Sequence, residues 1–158
     1  MFYVIDNFLP EDYFKELQNN VFYNEYFPWY YNEGKVIKDD GNYQFTHTLV
    51  REGQINSEFY DYVIPLFKKL NTQKIERAKF NLTPKTSNQQ VFLPHKDYQD
   101  NIKACIFYLN TNNGFTYFGE DKVFSIENRI VLFNGNDEHG GATCTDSNLR
   151  VVLNINYF

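Results

Sequence analysis

Apolar positions change their period partway along the chain. Phe14, Leu17 and Val21 recur at helical spacing behind Pro10, Glu11 and Asp12. A proline suits the first helical position and acidic residues the first turn, so a helix is expected there. A second helical stripe, Phe59, Val63, Leu66, Phe67 and Leu70, follows Ser57, a good N-cap. Pro65 lies inside it and is expected to kink or restart it. Tyr3 to Ile5 reads as a short strand. From Arg77 onward the helical period is lost. Strands are expected over 77–82, 104–110, 115–118, 123–126, 129–133, 142–145 and 149–157. Turn signals such as Asn112-Asn113-Gly114, Asn134-Gly135-Asn136 and Asp146-Ser147-Asn148 separate them. The last of these strands places Leu149, Val151, Leu153, Ile155 and Tyr157 on one face, and Arg150, Val152, Asn154 and Asn156 on the other. The greasy face needs a cover, which the N-terminal helices can supply. The polar face is expected to look into a barrel. Many short, closely spaced strands indicate a mainly β sandwich or barrel.

At 158 residues the chain has room for one domain, taken as 1–158. A 42% apolar and 19% aromatic composition excludes a disordered chain. The net charge of -5 argues against a nucleic-acid backbone as partner. Lys68, Lys69, Lys74, Arg77 and Lys79 read as a solvated basic face. Cys105 and Cys144 are expected to be free, buried thiols. Met1 to Asp6 lacks the character of a signal peptide, and no apolar run reaches membrane length. These features point to a soluble, cytoplasmic protein.

The chemistry gathers around three histidines, His47, His95 and His139. His95 and Asp97 stand two apart, so an extended segment points both to one side. His139 follows much later, ahead of Gly140 and Gly141, which permit close approach to another strand. Two imidazoles and one carboxylate form the facial set that holds non-haem Fe(II). It leaves positions for a chelating keto acid and for dioxygen. Arg150, eleven residues beyond His139, suits a grip on a distal carboxylate through two parallel bonds. Two other readings use the same residues. One is a zinc-dependent hydrolase on the same three ligands, with Glu138 as base. The other is a non-catalytic jelly-roll that binds a ligand. His47 reads either as a satisfied strand histidine or as part of a substrate pocket. Phe27-Pro28-Trp29-Tyr30-Tyr31 reads as an aromatic loop beside the barrel mouth or a plug in the helical flank, with Asp39, Asp40 and Gly41 as a lid.

Residues 77–158 resemble the core of the prolyl-4-hydroxylase-like Fe(II)/2-oxoglutarate oxygenases, in their small bacterial and phage form. The likeness lies in His95-Lys96-Asp97, in Cys105-Ile106-Phe107-Tyr108-Leu109-Asn110 and in Asn113-Gly114-Phe115-Thr116-Tyr117-Phe118. It continues through Arg129 to Phe133, His139 and Leu149-Arg150-Val151. Asn113 stands where the family has a first glycine. The resemblance implies a double-stranded β-helix (jelly-roll) over about 77–158, with helices flanking it over about 1–76. It implies Fe(II), 2-oxoglutarate, dioxygen and ascorbate as an accessory reductant. His95, Asp97 and His139 would hold the metal. Arg150 and Tyr108 would bind the distal carboxylate, and Asn81 is the choice for the first-strand position. The implied reaction is decarboxylation of 2-oxoglutarate to succinate coupled to hydroxylation. A prolyl residue in a peptide is the family-weighted substrate, with a small molecule as the other choice.

Overall fold

The computed structural model describes residues 1–35, 42–98 and 102–158. The chain enters through β1 (Tyr3–Ile5) and α1 (Glu11–Val21). It continues through β2 (Tyr30–Asn32), β3 (Gln44–Arg51) and β4 (Gln54–Ile55) to a 3-10 helix (Glu58–Val63) and α2 (Ile64–Lys69). The remaining strands are β5 (Ile75–Pro84), β6 (Lys103–Tyr108), β7 (Phe115–Phe118), β8 (Asp121–Phe124), β9 (Ile130–Asn134), β10 (Gly140–Gly141) and β11 (Leu149–Tyr157). The large antiparallel sheet has the order β1-β9-β6-β11-β5-β3-β2, with β4 beside β3. The small sheet has the order β10-β7-β8. Two single bridges, Val91 to Ala142 and His95 to His139, lay the segment before β6 against β10.

Period two dictates where the core forms. The odd residues of β11 and Ala78, Phe80 and Leu82 of β5 turn to one face of the large sheet. There they meet Phe14, Leu17 and Val21 of α1 and Leu66 and Phe67 of α2. Burial of this apolar area is the main stabilising term. The opposite face closes a second, smaller core. In it Ala104, Ile106, Tyr108, Val131 and Val152 pack against Val123 and Phe118 of the small sheet. The structure is a jelly-roll, as the resemblance implies, with helices covering one side, as the pattern predicts.

Several expected bounds are corrected. Pro10 is the N-cap and not the first helical residue. Its ψ is 139°, still extended, while its carbonyl accepts from Phe14 N at 2.9 Å. The expected helix from Ser57 divides at Pro65 into the 3-10 turn and α2, and Ser57 Oγ caps Phe59 N at 3.1 Å. The strand expected over 142–145 shrinks to Gly140–Gly141 plus one bridge at Ala142. Residues 1–76 supply four strands to the large sheet as well as helices. Tyr30 and Tyr31 belong to edge strand β2, while Phe27 and Trp29 pack on the helical core. The expected lid at Asp39, Asp40 and Gly41 lies outside the described residues.

Candidate active site

His95 and His139 face each other as a hydrogen-bonded antiparallel pair. His95 N donates to His139 O at 2.8 Å, and His139 N to His95 O at 2.9 Å. In such a pair both side chains stand on one side of the sheet, so the rings come within 4.7 Å, centre to centre. Asp97, two residues past His95, is tethered by its N–H to Gly135 O at 3.0 Å and turns to the same point. Its Oδ1 lies 3.8 Å from His95 Nε2, and its Oδ2 lies 4.0 Å from His139 Nε2. One donor atom from each residue falls within 4.8 Å of the others. Gly140 permits this packing, since an added Cβ would fall 2.5 Å from the Tyr117 ring.

The surroundings prepare these groups for a cation. His139 Nδ1 sits 3.0 Å from Asp137 O, to which it can donate, leaving the Nε2 lone pair toward the cluster. Burial and the neighbouring His139 push the His95 pKa down, which favours the neutral form a metal needs. Burial alone would raise Asp97, but the Arg77 guanidinium and the Asn156 amide outweigh it and hold the carboxyl below its usual value. Arg77 Nη2 donates to Asp97 Oδ1 at 2.8 Å, and Asn156 Nδ2 donates to Oδ2 at 3.0 Å. Arg77 Nε also donates to Asn156 Oδ1 at 3.0 Å, so the three form a closed ring of bonds. Arg77 and Asn156 are cross-strand partners on β5 and β11.

His95, Asp97 and His139 line a cavity of about 390 Å³ that runs along the inner face of β5 and β11 to Arg150. Arg150 is buried and pairs with Thr83 across the strands. Its Nε donates to Ser125 Oγ at 2.9 Å and its Nη2 to Thr116 Oγ1 at 3.2 Å. Burial lowers its pKa, yet no carboxylate pairs with it among the described residues. Gly114 makes room for it, because a Cβ there would meet Arg150 Cδ at 2.5 Å. Tyr108, fully buried, lies behind the site. Its hydroxyl donates to Thr116 Oγ1 at 2.9 Å, and the guanidinium sits 5.7 Å from its ring centre. Asn81 lines the cavity, and its buried Oδ1 has no bonded partner among the described residues.

The structure thus brings His95, Asp97, His139, Arg150 and Asn81 to one cavity, with Tyr108 one layer behind. His47 stands apart. Its ring nitrogens meet Pro28 O and Ser57 Oγ, each at 2.7 Å, and it packs on Phe27. Cys105 and Cys144 are both free and buried. Sequence reasoning placed Arg77 and Lys79 on a solvated face, and both line the cavity instead. The available signal was alternation on β5, where Arg77, Lys79, Asn81 and Thr83 interleave with Ala78, Phe80 and Leu82.

Fold and cluster together define a jelly-roll bearing a two-histidine, one-carboxylate facial set. Solved structures agree with that architecture. A prolyl hydroxylase from Trichoplax adhaerens, in complex with a hypoxia inducible factor peptide fragment, matches 99% of this chain and 83% of its own, with a TM-score of 0.68 at 14% identity. The viral collagen prolyl hydroxylase of Paramecium Bursaria Chlorella virus-1, as its 2OG complex, matches 98% and 94%, with a TM-score of 0.63 at 14% identity. A Pseudomonas putida prolyl-4-hydroxylase matches 99% and 91%, with a TM-score of 0.65 at 13% identity. No family model and no curated protein matches the sequence. The chain therefore has the fold of the 2-oxoglutarate/Fe(II) oxygenases.

Proposed function

We propose that this chain is a non-haem oxygenase that uses Fe(II), 2-oxoglutarate and dioxygen. The observation that carries the reading is Arg150. A guanidinium stays charged at any working pH, and burying it without a counter-charge is costly. Here it ends in the same cavity as the facial set, and among the described residues its hydrogen bonds go to two hydroxyls. It is a socket for a carboxylate whose other end reaches the metal ligands. A zinc hydrolase would leave this arginine without a task. Its candidate base, Glu138, is exposed and does not line the cavity.

His95, Asp97 and His139 would hold Fe(II), and the donor set of two imidazoles and one carboxylate fits that ion. Bound Fe(II) supplies the one-electron chemistry that couples dioxygen and 2-oxoglutarate decarboxylation to hydroxylation. The protein's own part is positional. Arg77 and Asn156 aim both Asp97 oxygens, and Asp137 fixes the His139 tautomer. Arg150, Ser125 and Thr116 fix the distal carboxylate, while Phe133 and Phe118 shield His139 from water. The neighbours named above include enzymes of prolyl residues, which supports a peptidyl substrate. No helix among the described residues is long and apolar enough to cross a membrane.

The test is anaerobic titration of the Fe(II) protein with 2-oxoglutarate, followed by succinate release in air. Binding with a visible charge-transfer band, and turnover above the metal-free protein, is expected. His95→Ala, Asp97→Ala and His139→Ala should each remove both signals while far-UV circular dichroism is unchanged. A variant that kept full turnover would strike its residue from the ligand set. Zinc-dependent hydrolysis without 2-oxoglutarate binding would replace the reading altogether.

A further inference from the structure

The inner face of β5 presents Arg77, Lys79, Asn81 and Thr83 to the cavity. Arg77 is engaged by Asp97, and Thr83 lies opposite Arg150. Lys79 has no such engagement. Its cross-strand partners are Asn154 on β11 and Thr48 on β3, neither of them acidic. Among the described residues its ammonium has no hydrogen bond and no ion pair. Among the described residues the cavity is lined by the cationic side chains Lys35, Arg77, Lys79, Lys96 and Arg150 and by one carboxylate, Asp97. That excess sits on a chain whose net charge is -5. A divalent cation and a dianionic co-substrate would cancel each other and leave it intact. Clefts of one sign with low-dielectric walls concentrate counter-charge.

We propose that the substrate presents an oxyanion, a carboxylate or a phosphate, to Lys79, beside the His95, Asp97 and His139 set. The inference rests on the oxygenase reading for what is done to the substrate. Position separates Lys79 from the co-substrate's socket. Arg150 and Asn154, the partner of Lys79, are four residues apart on β11, roughly 13 Å of strand. The polar groups beside Lys79 are also unsatisfied. Among the described residues, Asn154 Oδ1 and Asn81 Oδ1 are buried without partners. An amide offers its NH₂ instead by turning about its last bond, so both can donate to an oxyanion. Burial, followed by repulsion from Arg77 and partly offset by attraction to Asp97, pushes Lys79 down to about 8, and a bound anion would favour its charged form. A cavity of about 390 Å³ is within the range of small-molecule sites.

The probes are acetate and methyl phosphate, each with one methyl group, added to protein loaded with Mn(II) and saturating 2-oxoglutarate. Paramagnetic Mn(II) broadens the methyl proton resonance of a probe held nearby. Broadening by at least one probe is expected, and the stronger of the two distinguishes a carboxylate from a phosphate substrate. Lys79→Met, which keeps the buried stem, should weaken that binding about tenfold, in line with loss of one charged hydrogen bond. Lys79→Arg should largely restore it, and 2-oxoglutarate affinity should stay within about twofold in both variants. If Lys79→Met does not fold, Lys79→Gln takes its place. Broadening that persists unchanged without the lysine would put the anion on the metal and overturn the inference. Absence of broadening by either probe overturns it too. A parallel fall in 2-oxoglutarate affinity would assign Lys79 to the co-substrate. If the wild-type protein bound no 2-oxoglutarate, the oxygenase reading itself would fail, and that arm is measured separately.

Discussion

Asp97 meets two donors before any cation arrives, and this sets what its neighbours contribute. Asn156→Ala removes the bond to Oδ2 and one corner of the ring with Arg77. Outer partners of metal ligands are worth about 10–100-fold in affinity. Mn(II) binding by Asn156→Ala should weaken by about tenfold, read by titration calorimetry, with little change in fold. An unchanged affinity would make the ring a purely structural device. Arg150→Lys should weaken 2-oxoglutarate by about 1.5–3 kcal/mol, because lysine cannot make the planar two-bond contact. Acid should act through His95 in a defined direction. Its folded pKa is depressed, so the unfolded chain takes up its proton first. The stability contributed by neutral His95 is present above about 6.5 and declines as pH falls below it. Metal affinity should decline over the same window, since protons and metal compete for the imidazole. An affinity flat from neutrality to about pH 5 would exclude the histidines as ligands. At this scale the pairing of His95 with Asp97 was legible in their two-residue spacing, while His139 and Arg150 joined them through their order along the strands and the family resemblance. Arg77 and Lys79 were not legible, and Asn156 was read only as facing the barrel, without its bond to Asp97. A lysine or arginine on an unplaced strand reads as solvent-facing; alternation along β5 separates its two faces, and the register against β11 shows which of them looks inward.

Elements were legible where the period was clean. β7 and β11 match their expected bounds, and α1 differs by one residue. β3 was not delimited as a strand, and its pairing explains why. Phe45 and His47 turn to the helical core while Gln44 and Thr46 are buried on the opposite face, so both faces are polar or mixed. A register shift between Thr48 and Val50 then breaks the alternation. Such a bulge places two successive residues, here Leu49 and Val50, inside. Ser57 joins this strand to the helical layer, capping Phe59 N and meeting His47 Nε2. Ser57→Ala should cost about 1–2 kcal/mol by denaturant titration, the value of a lost N-cap. Trp29→Ala should lower the melting temperature and leave 2-oxoglutarate binding intact. The indole packs on Phe27, 5.0 Å between ring centres, and does not line the cavity. Intact melting with lost co-substrate binding would return Trp29 to the pocket.

At the scale of the whole molecule, the cavity is a seam between two sheets. Arg77, Asn154 and Arg150 reach it from the large sheet, while Thr116, Gly140 and Gly141 belong to the small one. Ligands bound there would tie the two together. Mn(II) and 2-oxoglutarate, each at about 100 times its dissociation constant, should each add about 2.7 kcal/mol. For a domain of this size that is several degrees in melting temperature per ligand, and amide exchange in β7 and β10 should slow. The strand order has a further consequence, for how fast the molecule can assemble. β11 is flanked by β5 and β6, and Tyr3 on β1 pairs with Leu132 on β9, so few neighbours in the large sheet are neighbours in sequence. Closing such loops costs chain entropy before any contact repays it, and topologies of this kind fold in about milliseconds to seconds. Refolding by stopped flow should be correspondingly slow. During that interval the apolar faces of β5 and β11 lie open, which makes the refolding yield fall as protein concentration rises.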